Sequence, residues 1–285
     1  MIPTSFLGFA DPVSSWSHLL SASVALIGTG VFVAKGRGSA LRVFALMVFS
    51  FALVFLFSMS GVFHLLERGG DARDVLRRLD HAGIWTLIAA TFVPIHVILF
   101  RGHRRWTILA AVWIAAITGM VIEMVFFDDV PEFILLSLFL GLGWVGALSG
   151  YHFRRSYGDP SLRRLALGGL AYSIGALIDF LNWPVLIPGV LGPHEIFHFF
   201  IIAGAAYHWA FVFKWCDHPI ADQLTFEVMI SKDHVIARAV GERMEIEARS
   251  VEEAKEMIRA VVANRYHSTI KPSINLRYFN EEKLS

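Results

Sequence analysis

Residues 41–66, LRVFALMVFSFALVFLFSMSGVFHLL, are apolar almost throughout. A bilayer-spanning helix needs about 20 mostly apolar residues, so this stretch is long enough to cross the hydrocarbon core. Six more such stretches flank it, at 16–34, 81–100, 106–127, 133–153, 165–186 and 194–213. Short charged or Pro/Gly-rich segments separate them. Examples are Lys35-Gly36-Arg37-Gly38, Arg101-Gly102-His103-Arg104-Arg105, Asp128-Asp129-Val130-Pro131 and Tyr157-Gly158-Asp159-Pro160. Seven spans with short loops predict an all-α membrane protein, a seven-transmembrane antiparallel helical bundle. The stretch at 16–34 lacks a basic flank before it and a small-residue cleavage site after it. It is therefore expected to remain a span and not to be removed as a signal peptide.

Composition agrees with this reading. Of 285 residues 55% are hydrophobic and 17% charged, and the mean hydropathy is +0.57. Soluble domains run near ~25% charged, so disordered chains, nucleic-acid binders and ordinary cytosolic enzymes are excluded. No nucleic-acid partner is expected; the solvent is a lipid bilayer. The 24 Phe and 8 Trp suit lipid contact and interfacial belts. The single cysteine, Cys216, excludes an internal disulfide framework and a cysteine-based zinc cluster.

Charge is unevenly placed. Residues 217–285 carry 10 Lys+Arg and 12 Asp+Glu, 22 charges in 69 residues. The break near Cys216-Asp217 predicts two parts: a membrane domain over 1–216 and a small soluble α+β tail over 217–285. In the tail Leu224, Phe226, Val228 and Ile230 alternate with polar neighbours as in a strand, and 235–240, 244–248 and 274–279 read as three more. Ser250 followed by Glu253 is a capping box that opens a helix with Ala254, Met257, Ile258, Val261 and Val262 on one side. No catalytic or metal motif stands in the tail. Its expected roles are regulation, dimerisation, recruitment of a protein partner, or simple support.

Ionisable groups in spanning helices are costly and tend to be functional. His194 and His198 stand four apart at the start of the seventh stretch, after Gly192-Pro193. Positions i and i+4 share a helix face and suit chelation of one metal ion. Ser60 and His64 repeat that spacing near the end of the second stretch, and Asp80 opens the third. Antiparallel spans put all five on one side of the membrane. Three imidazoles suit zinc and leave a fourth position for water. Asp80 would accept or orient that water's proton, and Ser60 would bond the water or an oxyanion.

Simpler explanations stand beside this one. An isolated H-x3-H arises by chance, Asp80 reads locally as the N-cap of the third span, Ser60 can bond its own helix, and His64 can be a satisfied core histidine. Glu123 and Asp179 also fall in spans, with Asp179 placed to pair with a buried histidine or line a cavity. His18, His96 and His208 are expected to make structural hydrogen bonds. His81 carries the same expectation, with a supporting place beside the metal set as its alternative. Glu195, in the first turn of its helix, favours the helix dipole.

The segments Ser58-Met59-Ser60-Gly61-Val62-Phe63-His64, Leu79-Asp80-His81-Ala82-Gly83-Ile84-Trp85 and His194-Glu195-Ile196-Phe197-His198, in this order and with seven spans, resemble the hemolysin III family. That family is the bacterial branch of the progestin and adipoQ receptor family. The resemblance covers residues 11–215 and leaves the tail outside. Ser14 stands where the family usually has Asn, and Ala90-Thr91-Phe92-Val93-Pro94 where it usually has G-T-Y-T-P. The resemblance implies zinc held by His64, His194 and His198, with Asp80 and Ser60 near the zinc-bound water. It also implies kinship with alkaline ceramidases, and a bacterial inner-membrane location.

Three functions compete. The first is a zinc-dependent hydrolase of a lipid amide or ester, with a membrane lipid as substrate. The second is a receptor or membrane-homeostasis protein with structural zinc. The third is a pore-forming hemolysin, which lacks support because no span carries a continuous polar stripe. Structural zinc normally has four protein ligands, so an open fourth position favours the hydrolase.

Orientation follows from loop charge. Lys35, Arg37, Arg42, Arg101, Arg104, Arg105, Arg154, Arg155, Arg163 and Arg164 follow the odd-numbered spans; only Arg68, Arg73, Arg77 and Arg78 lie on the other side. Ten against four predicts an external N-terminus and a cytoplasmic tail, whereas the receptor branch of the family is drawn with its N-terminus inside. A reporter fused after Ser285 should therefore be active in the cytoplasm. Activity only in the periplasm overturns this orientation.

Overall fold

The computed structural model describes residues 5–6, 8–157, 162–218, 220, 223–231, 234–240, 244–265 and 272–280. Seven helices precede the tail: α1 (Pro12–Gly36), α2 (Ala40–Leu65), α3 (Asp71–Pro94), α4 (His103–Val125), α5 (Glu132–Tyr157), α6 (Leu162–Phe180) and α7 (Pro193–Trp215). Residues 158–161, in the expected loop after the fifth span, lie outside the described residues.

Against the expectation of seven spans, six helices among the described residues are long and apolar enough to cross a membrane. The exception is α6, which carries Arg163, Arg164 and Asp179 within 19 residues. It also stops at Phe180, short of the expected residue 186. Asn182 adopts a positive φ of 52°, and its N–H reaches back to the Asp179 carbonyl at 3.0 Å. A left-handed residue followed by Pro184 ends a helix, because proline has no N–H to continue the ladder.

The third helix differs most from its sequence reading. It begins at Asp71 behind Gly70, ten residues before the apolar stretch. Asp71 and Asp74 occupy its first turn, where carboxylates favour the helix dipole. Asp80 is therefore an interior residue of α3 and not its N-cap. At the other end Pro94 cannot donate to the preceding turn, and the chain runs on to Leu99 as a π-helical turn.

Close helix approach depends on small residues. A Cβ on Gly83 of α3 would lie 3.0 Å from the Cα of Leu56 on α2, and one on Gly61 of α2 would lie 2.7 Å from the Leu19 side chain on α1. These two contacts bring α1, α2 and α3 together near the residues singled out above.

On the opposite side of the bundle two buried arginines tie down backbone carbonyls. Arg42 donates to the carbonyls of Gly36, Arg37 and His218 at 3.0, 2.9 and 3.1 Å. Arg105 donates to those of Phe100 and Ile220 at 2.9 and 2.6 Å. The chain thus leaves α7 beside the α1–α2 and α3–α4 loops.

The tail follows as β1 (Gln223–Ile230), β2 (Val235–Ala239), β3 (Glu245–Ala248), α8 (Val251–Arg265) and β4 (Ser273–Asn280). Its sheet has the order β3-β2-β1-β4, with β1 parallel to β4 and the other pairs antiparallel. Leu224, Phe226 and Val228 of β1 share an apolar core with Ala254, Ile258 and Val262 of α8. The Ser250 hydroxyl caps α8 by accepting from the Glu253 N–H at 3.2 Å, while the Glu253 carboxylate takes the Arg249 N–H at 2.7 Å.

Replacing Gly83 with Leu should force α2 and α3 apart and cost about 1–3 kcal/mol of stability, as overpacking does. Thermal unfolding in detergent measures this, and an unchanged midpoint overturns the packing role.

Candidate metal centre

Helix α7 begins at a defined point. Pro193 takes the first helical position, where a missing N–H costs nothing, and the Gly192 N–H donates to Glu195 Oε2 at 2.9 Å. The other Glu195 oxygen accepts from the Ser14 hydroxyl of α1 at 3.4 Å. Glu195 is buried and ties α1 to α7, a role beyond its expected service to the helix dipole. His194 and His198 then stand on one face over the first two turns of α7.

His64 comes to them from the last turn of α2. Its Nε2 lies 3.2 Å from His194 Nε2, which lies 3.1 Å from His198 Nε2. The ligand atoms of the three histidines all fall within 4.8 Å of one another. The structure thus joins the three histidines that the sequence singled out, and does so on the side of the bundle away from the tail.

The second ring nitrogens explain the orientation. His64 Nδ1 faces Asp11 Oδ2 at 3.1 Å, and His194 Nδ1 faces Asp179 Oδ1 at 3.1 Å. A carboxylate partner puts the proton on Nδ1 and leaves Nε2 a lone pair. His198 is held differently: its ring stacks on His18 with centroids 3.8 Å apart and planes 13° apart. Lone pairs aimed at one point from two elements fit a cation. The cluster can hold a metal ion.

Asp11 is the functional residue that sequence reading missed. It sits one residue before α1 and makes no capping bond there. Its carboxylate instead takes His64, Arg73 Nη2 at 2.6 Å and Arg68 Nη2. Burial alone would raise its pKa, but the His64 bond and the two guanidinium groups outweigh burial and hold it well below the usual carboxylate range. Arg68 and Arg73 on the same side of the membrane were the available signal.

Asp80 and Ser60 lie beside the cluster. Both line a cavity of about 580 Å³ together with His18, His194 and His198. Its remaining wall is mainly apolar, from α3, α5, α6 and α7, and it reaches Arg154 at the far end of α5.

The remaining polar residues make structural bonds. Glu123 accepts from His81 Nδ1 and from the Trp85 indole, each at 2.6 Å. His81 thus binds Glu123 and not a metal-set histidine. His96 pairs with Ser149 at 2.9 Å, and His208 with the Leu165 carbonyl at 3.2 Å.

Seven-helix order, three converging histidines and an apolar cavity define an integral membrane protein with a candidate metal centre. The family model described as "Haemolysin-III related" matches residues 9–209, and the chain belongs to that family. It is 30% identical to the "Hemolysin-3 homolog" of Bacillus subtilis (strain 168) over 209 residues, 73% of this chain and 93% of the relative. It is 30% identical to "Hemolysin-3" of Bacillus cereus over 61% of this chain and 75% of the relative. Similarity extends to the "Adiponectin receptor protein" of Drosophila melanogaster, at 27% identity over 76% of this chain and 51% of that protein.

Asp11→Asn and Asp179→Asn should each weaken metal binding about 10–100-fold, since partners of this kind orient the ligands. His194→Ala should abolish it. Elemental analysis and chelator competition measure both effects. Full metal content in the His194→Ala protein overturns the site.

Proposed function

We propose that the protein is a zinc-dependent hydrolase of a lipid amide or ester, related in chemistry to the ceramidases. One observation carries this: His194 and His198 of the converging set, with Ser60 and Asp80, share the wall of a mainly apolar cavity. Tetrahedral zinc with ligands at ~2.0–2.1 Å has donor atoms about 3.3 Å apart. Two of the three donor separations, 3.1 and 3.2 Å, match that requirement, and all three donors lie within 4.8 Å.

His64, His194 and His198 would hold the ion, which when bound supplies Lewis acidity toward a carbonyl oxygen and toward water. The apolar wall takes the acyl chain and excludes bulk water from the reacting carbonyl. Asp80 accepts a proton from the attacking water as the carbon–oxygen bond forms. It returns that proton to the leaving nitrogen, or to the leaving oxygen of an ester, as the acyl bond breaks. The products are a carboxylic acid and an amine or alcohol. Ser60, in the same cavity wall, bonds the attacking water or the developing oxyanion.

The wider assignments belong to the same reading. Helix α6 also spans the membrane, sixth in chain order and completing seven, since its Asp179 is bonded to His194 and its arginines stand in its first turn. The tail is a separate soluble module in the cytoplasm, and the metal centre faces outward. A receptor role is the second reading, favoured by the similarity to the Drosophila protein.

Asp80→Asn decides between them. The cap explanation is gone, because α3 starts at Asp71. The variant should keep its metal and lose turnover about 10²–10⁴-fold, because an amide cannot accept the proton. Hydrolysis of a panel of ceramides, N-acyl lipids and lipid esters by purified protein is the measurement. Unchanged turnover in the variant overturns the role of Asp80, and no cleavage by the wild type overturns the hydrolase.

A further inference from the structure

Successive residues of a strand point to opposite faces. Leu224, Phe226 and Val228 of β1 face α8, so Glu227 and Met229 belong to the other face of the sheet. Strand register places Arg277, Glu227, Arg238 and Glu245 side by side across β4, β1, β2 and β3 on that open face. The signs run plus, minus, plus, minus. Two residues further along the strands the row is Phe279, Met229, Ile236 and Glu247. Arg238, Glu245, Glu247, Arg277 and Phe279 are exposed, with Phe279 at 49%.

We propose that this open face is a homodimer interface, where two copies of the tail pack sheet on sheet about a two-fold axis parallel to the strands. That rotation sets the charged row against its own reverse. Arg277 meets Glu245 of the second copy, and Glu227 meets Arg238, so all four pairs are of opposite sign. A two-fold axis along the row would instead set arginine on arginine. The charge pattern therefore selects one of the two ways of facing the sheets. The second row stacks Met229 on Ile236 of the second copy and sets Phe279 beside Glu247 at its edges, next to the charged pairs, at the distance usual for sandwiched sheets. Arg238 and Glu245 already pair within one sheet at 2.7 Å, which holds both side chains in the row.

A second copy suits this face better than a lipid surface. The row is neutral, and the tail holds 10 Lys+Arg against 12 Asp+Glu, so it has no basic excess for anionic headgroups. Both copies carry the tail on the same side of the membrane, so the faces can meet with both bundles in the bilayer.

The test uses the full chain in detergent, with mass from light scattering and exchange from donor- and acceptor-labelled preparations. Wild type should dimerise. Glu227→Arg creates two like-charge pairs in its homodimer, as does Arg238→Glu, so each alone should dimerise at least about tenfold more weakly. Mixed together, the two variants present opposite signs at all four pairs, and the mixture should regain wild-type affinity. A wild type that stays monomeric overturns the proposal, as do variants that self-associate like wild type, or a mixture without recovery.

A second measurement does not depend on charge. Met229→Cys protein mixed with Ile236→Cys protein should cross-link with a short bis-maleimide, and Cys216 is buried and does not compete. No cross-linked species overturns the proposed register.

Discussion

Lone pairs repel, and at such close range there is no room for a water between them. His64 and His194 hold their Nε2 atoms 3.2 Å apart under that condition. Each gives its Nδ1 proton to a carboxylate, so neither Nε2 brings a hydrogen to the meeting point. Much of the surrounding structure serves to keep this arrangement. Asp11 fixes His64 and is itself neutralised by Arg68 and Arg73. Asp179 fixes His194 from α6, and His18 lies flat against His198.

Helix packing delivers these groups to one depth. Gly83 lets α3 approach α2, and Gly61 lets α2 approach α1, and their neighbours Ser60 and Ile84 line a common cavity. Because α3 starts at Asp71, Asp80 reaches that cavity from a continuous helix and not from a loop end. A side chain held on a helix is more exactly placed than one on a loop, which suits a proton acceptor. The far side of the bundle is organised by another rule. There Arg42 and Arg105 satisfy carbonyls at helix ends that have no partner within their own helices.

The tail obeys the rules of soluble proteins. Its strands alternate, its helix is capped by Ser250, and its apolar residues fall on the face toward α8. The opposite face carries an ordered row of charges. The match to the haemolysin III model ends at residue 209, so this face is a feature of the chain outside the family core. Charge order of this kind arises from pairing across four strands and cannot be read along any one of them.

Local signals account for what was legible in the amino-acid sequence. Apolar run length marked the membrane helices, period-two alternation marked the tail strands, and the i, i+4 spacing of His194 and His198 marked the metal face. His64 was legible because antiparallel order alone puts the end of α2 beside the start of α7. What only the tertiary structure decided involves partners far apart in the chain. Asp11 carries no signal along the chain until His64, 53 residues on, appears against it. Asp80 reads as a cap because hydropathy begins where it stands, while the helix begins at Asp71, among charged residues that apolar counting cannot see. Glu195 reads as a dipole residue until Ser14, 181 residues away, reaches it. Asp11 and Glu195 take their roles from through-space bonds in a low-dielectric interior, where leaving a charge unpaired is costly, and the order of residues along the chain does not encode which distant group will arrive.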